Sequence, residues 1–263
     1  MEMIVSVDGT AIAYERSGSG PPLVVVHGTT ADHTRWEPVR SAFEKHFTVY
    51  AVDRRGRGES SDAAEYELER EFEDVAAVAD TINEPVILLG HSFGALCSLE
   101  ATLRTDSIEK LVLYEPPIPV GEHQLYSEEV LTEMETLLDD GENEQALVLF
   151  FLEVAKIPLA QIDVLKSAPN WQARVDAAHT AYRETQAPAD YEFDPLRFRN
   201  MTTPTLLLLG SESPQYLEDA TEAINDALLN SRIAILDGQQ HVAMNTAPEL
   251  FINEVLAFLS ESN

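Results

Sequence analysis

Short, largely apolar runs recur along the chain at residues 23–26, 47–52, 86–89 and 205–209. Runs of this length, bounded by turn residues, read as strands buried on both faces of a parallel sheet. Residues 108–114 continue the series, with Leu111 and Leu113 on one side and Val112 and Tyr114 on the other, and residues 232–236 close it. Near the start, residues 3–7 and 11–17 flank Asp8-Gly9, a two-residue turn signal, and predict a β-hairpin. Between these runs the period changes. Residues 68–82 carry Phe72, Val75, Ala76 and Ala79 on one helical face, and residues 36–45, 95–101, 216–229 and 249–259 also read as helices.

Strands spaced by helices predict an α/β fold: a mostly parallel sheet of about eight strands, with helices on both faces and right-handed crossovers. The rhythm breaks at residues 116–199, which show helical stripes instead of strands. Leu131, Met134, Leu137 and Leu138 form one stripe, Leu147, Phe150, Phe151 and Val154 a second, and Trp171, Val175, Ala178 and Tyr182 a third. The expectation is a core of residues 1–115 and 200–263, interrupted by a helical cap at 116–199 that folds over the carboxyl edge of the sheet. The aromatic residues of the stripes are expected to build the cap's own interior rather than to meet a substrate.

Charge changes the picture most. Against 46 acidic residues stand 17 basic ones, four of them lysines, for a net charge of −29. The acids are spread beside well-patterned apolar segments rather than gathered into a tail. Such a surface repels nucleic acid and anionic membrane, so neither is an expected partner. Acidic excess with few lysines predicts adaptation to a salt-rich cytoplasm, where screening removes self-repulsion; an acidic protein of ordinary salt is the alternative. Residues 1–8 lack the basic and apolar regions of a signal peptide, and apolar runs such as 146–152 are short for a membrane span, so a cytoplasmic location is expected. Cys97, the single cysteine, cannot form an internal disulfide and is expected to be a buried packing residue.

The chemistry gathers at Gly90-His91-Ser92-Phe93-Gly94, directly after the run 86–89 and before the helix 95–101. A strand that turns into a helix this abruptly holds Ser92 in a strained conformation, with glycines two residues before and after to let the backbones pass. The hydroxyl then stands at a helix N-terminus, where the Phe93 amide favours developing negative charge. A helix-initiating serine between glycines also has a purely structural reading, and the strand–turn–helix context favours the nucleophile. Three further strings follow the ends of predicted strands: His27-Gly28, Asp53-x-Arg55-Gly56-x-Gly58-x-Ser60, and Gly238-Gln239-Gln240-His241.

In this order and spacing the four strings resemble those of the α/β-hydrolases, and the resemblance runs from the first hairpin to the last helix. It implies Ser92 as nucleophile, His241 as general base, and the main-chain amides of Thr29 and Phe93 as oxyanion donors. His27 then has a structural part, and Asp53 and Arg55 shape a neighbouring loop. His91 is the variable residue of the elbow, and His33, His46, His123 and His179 lie in no motif. The acid departs from the family pattern. Where most members carry Asp after the seventh strand, this chain has Ser213 in Gly210-Ser211-Glu212-Ser213-Pro214. Glu115, at the end of the sixth strand and expected to be extended because Pro116 follows it, is the preferred acid. Glu212 and an acid-free dyad are the alternatives.

The resemblance implies a serine hydrolase acting on small carboxylic esters or related acyl compounds through an acyl-enzyme. Perhydrolase, acyltransferase and carbon–carbon hydrolase chemistry use the same constellation and stay open. So does a ligand-binding protein that keeps the fold without turnover, which the missing Asp would favour. The sequence shows no His, Asp or Cys cluster with ligand spacing, and no cofactor or metal is expected.

Overall fold

In the computed structural model, residues 1–121, 126–157 and 159–261 are described. Their strands are β1 (Glu2–Val5), β2 (Ala11–Gly18), β3 (Pro22–Val26), β4 (Thr48–Val52), β5 (Val86–His91), β6 (Ile108–Tyr114), β7 (Thr205–Gly210) and β8 (Ser231–Leu236). They form one sheet of eight strands in the order β1-β2-β4-β3-β5-β6-β7-β8. β2 runs against both of its neighbours, and every pairing from β4 to β8 is parallel. β3, β4, β5 and β7 are buried at every residue, which is why they read as continuous apolar runs. Edge strand β1 exposes Met3 and Val5, and edge strand β8 exposes Ile235.

The chain divides into two compact units, Met1–Val120 with Phe193–Asn263, and Gly121–Glu192. The sheet unit carries α1 (Glu37–Phe43), α2 (Leu68–Thr81) and α3 (Phe93–Ala101) among its first six strands. The second unit holds α4 (Glu128–Asp139), α5 (Asn143–Leu149), α6 (Leu159–Lys166), α7 (Trp171–Asp176) and α8 (Ala178–Asp190). Back in the sheet unit, α9 (Gln215–Ala227), α10 (Ala243–Thr246) and α11 (Pro248–Leu259) finish the chain.

Period-two alternation divides the sheet unit's interior. Leu23, Val25, Val49, Ala51, Ile87, Leu89, Val112, Tyr114, Leu206 and Leu208 face one side, where they pack with Trp36, Phe43, Met244, Phe251 and Val255. That layer is α1 with the 3-10 turn His33–Trp36 before it, α10 and α11. The intervening residues, such as Val24, Leu88 and Leu111, are equally buried, and α3 packs against β5 and β6 with all nine of its residues buried. A largely apolar helix belongs in such an interior, and its buried acid, Glu100, is paired with Arg104 at 2.9 Å and Arg197 at 2.7 Å. The second unit has a cluster of its own, built from Met134, Leu147, Phe150, Phe151, Ile162, Val175, Ala178 and Ala181.

Differences from the sequence pattern are local and physical. β1 stops at Val5, and Ser6 and Thr10 close a longer loop with a hydrogen bond of 2.8 Å. The turn holds Val7, Asp8 and Gly9 (φ 91°), with the Gly9 amide donating to the Ser6 carbonyl at 3.0 Å, and the Asp8 carboxylate accepts from the Thr10 amide at 2.9 Å and from the Arg55 guanidinium at 3.0 Å. The second apolar stripe passes from α5 into a π-helical turn, Phe150–Val154. The third is broken at Ala177, whose φ of −96° and ψ of 16° separate α7 from α8. Helix α6 has no counterpart in the expected elements. Among the described residues, no helix is long and apolar enough to cross a membrane.

Candidate active site

The chain visits β3, moves outward to β4, and returns to β5 on the other side of β3. Such a reversal opens a crevice at the carboxyl ends of the central strands, and ligands of open α/β sheets bind there. His27-Gly28 follows β3 and Ser92 follows β5, so both strings stand at this point.

Ser92 has φ 55° and ψ −128°, the strained conformation that the abrupt strand–helix turn requires. For a non-glycine residue such a conformation costs about 1–3 kcal/mol and persists only where the surroundings over-determine it. Here the Ser92 amide donates to the Tyr114 carbonyl at 2.8 Å, while its own carbonyl accepts from Ala95 at 2.7 Å. The two glycines leave no room for a side chain. A Cβ on Gly90 would lie 2.5 Å from the Gly94 carbonyl oxygen, and one on Gly94 would enter the His27 and Val26 carbonyls. Gly28 abuts Ser92 itself, since a Cβ there would sit 2.7 Å from the Ser92 Cβ and 3.3 Å from its Oγ.

His27 is fully buried and explains its own tautomer. Its Nε2 accepts from the Arg54 amide at 3.1 Å, so Nδ1 carries the hydrogen and donates to the Gly28 carbonyl at 2.8 Å. Burial, with Arg54 and Arg57 nearby, holds its pKa well below the ordinary range and keeps it neutral. Because a trans peptide points its C=O and N–H in opposite directions, a tied Gly28 carbonyl also fixes the direction of the Thr29 amide.

The candidate acid is held by groups at or beyond the ends of two neighbouring strands. Glu115, fully buried, extends its carboxylate to His241, with Oε2 2.5 Å from Nδ1. Its Oε1 accepts from the Gly210 amide at 2.7 Å and from the Ser213 hydroxyl at 2.6 Å. Ser213 therefore does not leave a gap where the family's usual Asp would stand: it donates to a carboxylate that arrives from the neighbouring strand. The expected extended backbone at Glu115 is corrected by a φ of 48°. Such a conformation persists where its surroundings over-determine it, and three hydrogen bonds hold the Glu115 carboxylate. Glu212, by contrast, is exposed, with its amide donating to the Gln239 carbonyl at 2.9 Å.

The loop after β4 is also locked. Asp53 Oδ2 accepts from the Glu59 amide at 3.1 Å, and Arg55 grips Asp74 at 2.6 and 2.8 Å. Arg54 pairs with buried Glu71 and lays its guanidinium 4.7 Å from the centroid of the Phe93 ring. Cys97 lies buried beside this group, and burial pushes its thiol up to about 12. Among the described residues, no group of three His, Cys, Asp or Glu side chains is placed to hold a metal ion. His123 lies outside the described residues.

One partnership had no sequence signal. His33 meets Asp53 Oδ1 with both its amide and its Nδ1 at 2.8 Å, across 20 residues of chain. The hydrogen bond to Asp53 raises the His33 pKa above 6.5, against the effect of its own burial. A pKa raised on folding adds stability that is complete below the unfolded value and lost as pH rises through the folded one. His33→Asn is therefore expected to cost about 1 kcal/mol at pH 5.5, with the difference from wild type shrinking by pH 8.5. Urea denaturation at the two values checks this, and a cost that grows with pH would contradict it.

Comparison with known proteins agrees with this architecture. A curated relative from Acinetobacter baylyi, (E)-2-((N-methylformamido)methylene)succinate hydrolase, is 26% identical over 255 residues, covering 94% of this chain and 93% of that one. The solved structure of an alpha/beta hydrolase from Sphaerobacter thermophilus is 32% identical with a TM-score of 0.87, covering 98% of this chain and all of that one. An esterase from a Rhodococcus species matches at 25% identity and a TM-score of 0.76, covering 100% of this chain and 99% of that one. The model of the Alpha/beta hydrolase family matches residues 23–254, and the chain belongs to that family.

Proposed function

We propose that this protein is a serine hydrolase that cleaves small carboxylic esters or related acyl compounds through an acyl-enzyme on Ser92. The observation that carries this reading is the 2.5 Å contact between His241 Nδ1 and a Glu115 carboxylate already fixed by Gly210 and Ser213. A carboxylate on Nδ1 leaves Nε2 as the free base and stabilises the imidazolium once it forms. In this mechanism His241 Nε2 takes the Ser92 proton as Oγ attacks the acyl carbon. The Thr29 and Phe93 amides hold the oxyanion, and the proton passes to the departing alcohol. Water, deprotonated by the same nitrogen, then releases the acid and restores Ser92.

Against a ligand-binding protein without turnover speaks the Ser213–Glu115 hydrogen bond, which brings a carboxylate to the place where the usual Asp is missing. A series of p-nitrophenyl esters with acyl chains from acetate to octanoate tests the proposal. Saturable turnover, fastest on the short chains, is expected. Release no faster than in buffer across the whole series would contradict it.

We also propose that the charge of −29 reflects a working environment of high salt. Screening distances fall from about 30 Å at 0.01 M salt to about 3 Å at 1 M, so like charges that repel in dilute buffer cease to do so. Melting temperature and esterase activity are expected to rise from dilute buffer to molar KCl. A melting temperature indifferent to salt over that range would contradict the proposal.

A further inference from the structure

His91 and Tyr114 end β5 and β6, and the two strands are in register so that these residues lie side by side. The next residue on one strand is Ser92 and on the other Glu115. By the period of two, His91 follows Ile87 and Leu89 onto the sheet face covered by α1, α10 and α11, as Tyr114 follows Val112. From that face both side chains meet the loop that carries His241. His91 Nε2 donates to the His241 carbonyl at 2.8 Å. The Tyr114 hydroxyl donates to the Gln240 carbonyl and accepts from the Ala243 amide at 3.1 Å. Three main-chain groups within four residues are thus tied to the ends of two central strands. The rings reinforce this, with centroids 5.3 Å apart for His91 and Tyr114 and 4.7 Å apart for His91 and His241.

We propose that His91 and Tyr114 are positioning residues for the general base, holding the His241 loop in register with the serine and glutamate that follow them. The proposal deepens the Ser92–His241–Glu115 reading and rests on it. The alternation of the pleat supplies its logic: the last inward residue of each strand anchors the loop, and the first residue beyond it faces the chemistry. Neither anchor titrates near neutral pH. Burial, then the neighbouring His241, holds the His91 imidazole well below its ordinary pKa. A second proton would fall on Nδ1, a buried atom without a hydrogen-bond partner among the described residues. Burial and the Glu115 carboxylate raise the Tyr114 phenol, so its hydroxyl keeps its hydrogen.

The test compares His91→Gln, which retains an N–H donor at the end of a side chain of similar reach, with His91→Leu, which retains bulk alone. Turnover of p-nitrophenyl acetate gives one readout. The low-field proton resonance of the His241 Nδ1–H bonded to Glu115 gives another and needs no turnover. A misplacement of the base by about 1 Å costs about a hundredfold, so His91→Leu should lose about that much in kcat with KM within about twofold. Its low-field resonance should broaden away. His91→Gln should keep the resonance and stay within about fivefold of wild type, as expected when the donor rather than the ring supplies the hold. Tyr114→Phe, which loses the hydroxyl alone, should behave like His91→Leu, and it carries the test if the leucine variant does not fold. The proposal is overturned if the donor-free variants keep both kcat and the resonance. It is equally overturned if the glutamine and leucine variants fall together in step with their melting temperatures, the result of packing alone. Ser92→Ala, assayed in parallel, separates the two ideas. Turnover surviving there would remove the nucleophile assignment, while the resonance would still report on the hold.

Discussion

Ser92→Ala is expected to lose on the order of 10⁴-fold or more in kcat towards p-nitrophenyl acetate, with circular dichroism unchanged. Removing a triad serine leaves only the contributions of binding and of the oxyanion donors, and its effect is comparable to removing the whole constellation. The fold should tolerate the change because the strained turn is held by main-chain bonds at 2.8 and 2.7 Å, which alanine keeps. A variant retaining more than about a tenth of wild-type kcat would differ by less than about 1.4 kcal/mol in barrier, and the nucleophile would have to be sought elsewhere.

The second large effect is expected at Glu115. In Glu115→Gln the Gly210 amide, which donates only, selects the amide oxygen and turns the NH₂ towards His241. Nδ1 must then accept, the hydrogen moves to Nε2, and the ring can no longer take a proton from Ser92. An amide in place of the triad carboxylate is known to cost about 10⁴-fold in a serine protease, and a loss of that order is expected here. Glu212→Gln, at an exposed position, should stay within about twofold, since surface substitutions away from special features have small effects. Ser213→Ala removes one of three donors to the carboxylate and should fall between them. Kinetics of the three variants on one ester give the order. Glu212→Gln as the inactive variant, with Glu115→Gln near wild type, would put the acid on the other strand.

The sequence made the sheet legible because its central strands are buried on both faces and so are apolar throughout. β3, β4, β5 and β7 are such strands, and the glycines at 90 and 94 mark a turn that no larger residue fits. What escaped were partnerships between side chains distant in sequence. Glu71 and Asp74 look like solvated charges on α2, yet both are buried because Arg54 and Arg55 reach them from the loop after β4. His33 looks motif-free because its partner, Asp53, lies beyond β4. His91 and Tyr114 look like a variable elbow residue and a strand terminus, and only strand register places them together beneath the His241 loop. Ser213 reads as an absent acid until the neighbouring strand delivers Glu115 to its hydroxyl. Local patterns encode elements; contacts between elements depend on the register and twist of the whole sheet.

Under the proposed function Ser92 is a nucleophile activated by a carboxylate-backed histidine. The most direct test is reaction with a fluorophosphonate probe followed by peptide mapping. Ser92 Oγ forms the bond to phosphorus, fluoride leaves, and His241 receives the serine proton. Stoichiometric modification at Ser92 is expected in the wild type, none in Ser92→Ala, and strongly slowed labelling in Glu115→Gln. A wild-type protein that stays unlabelled while a known serine esterase in the same tube reacts fully, or that carries the label on a residue other than Ser92, would contradict it.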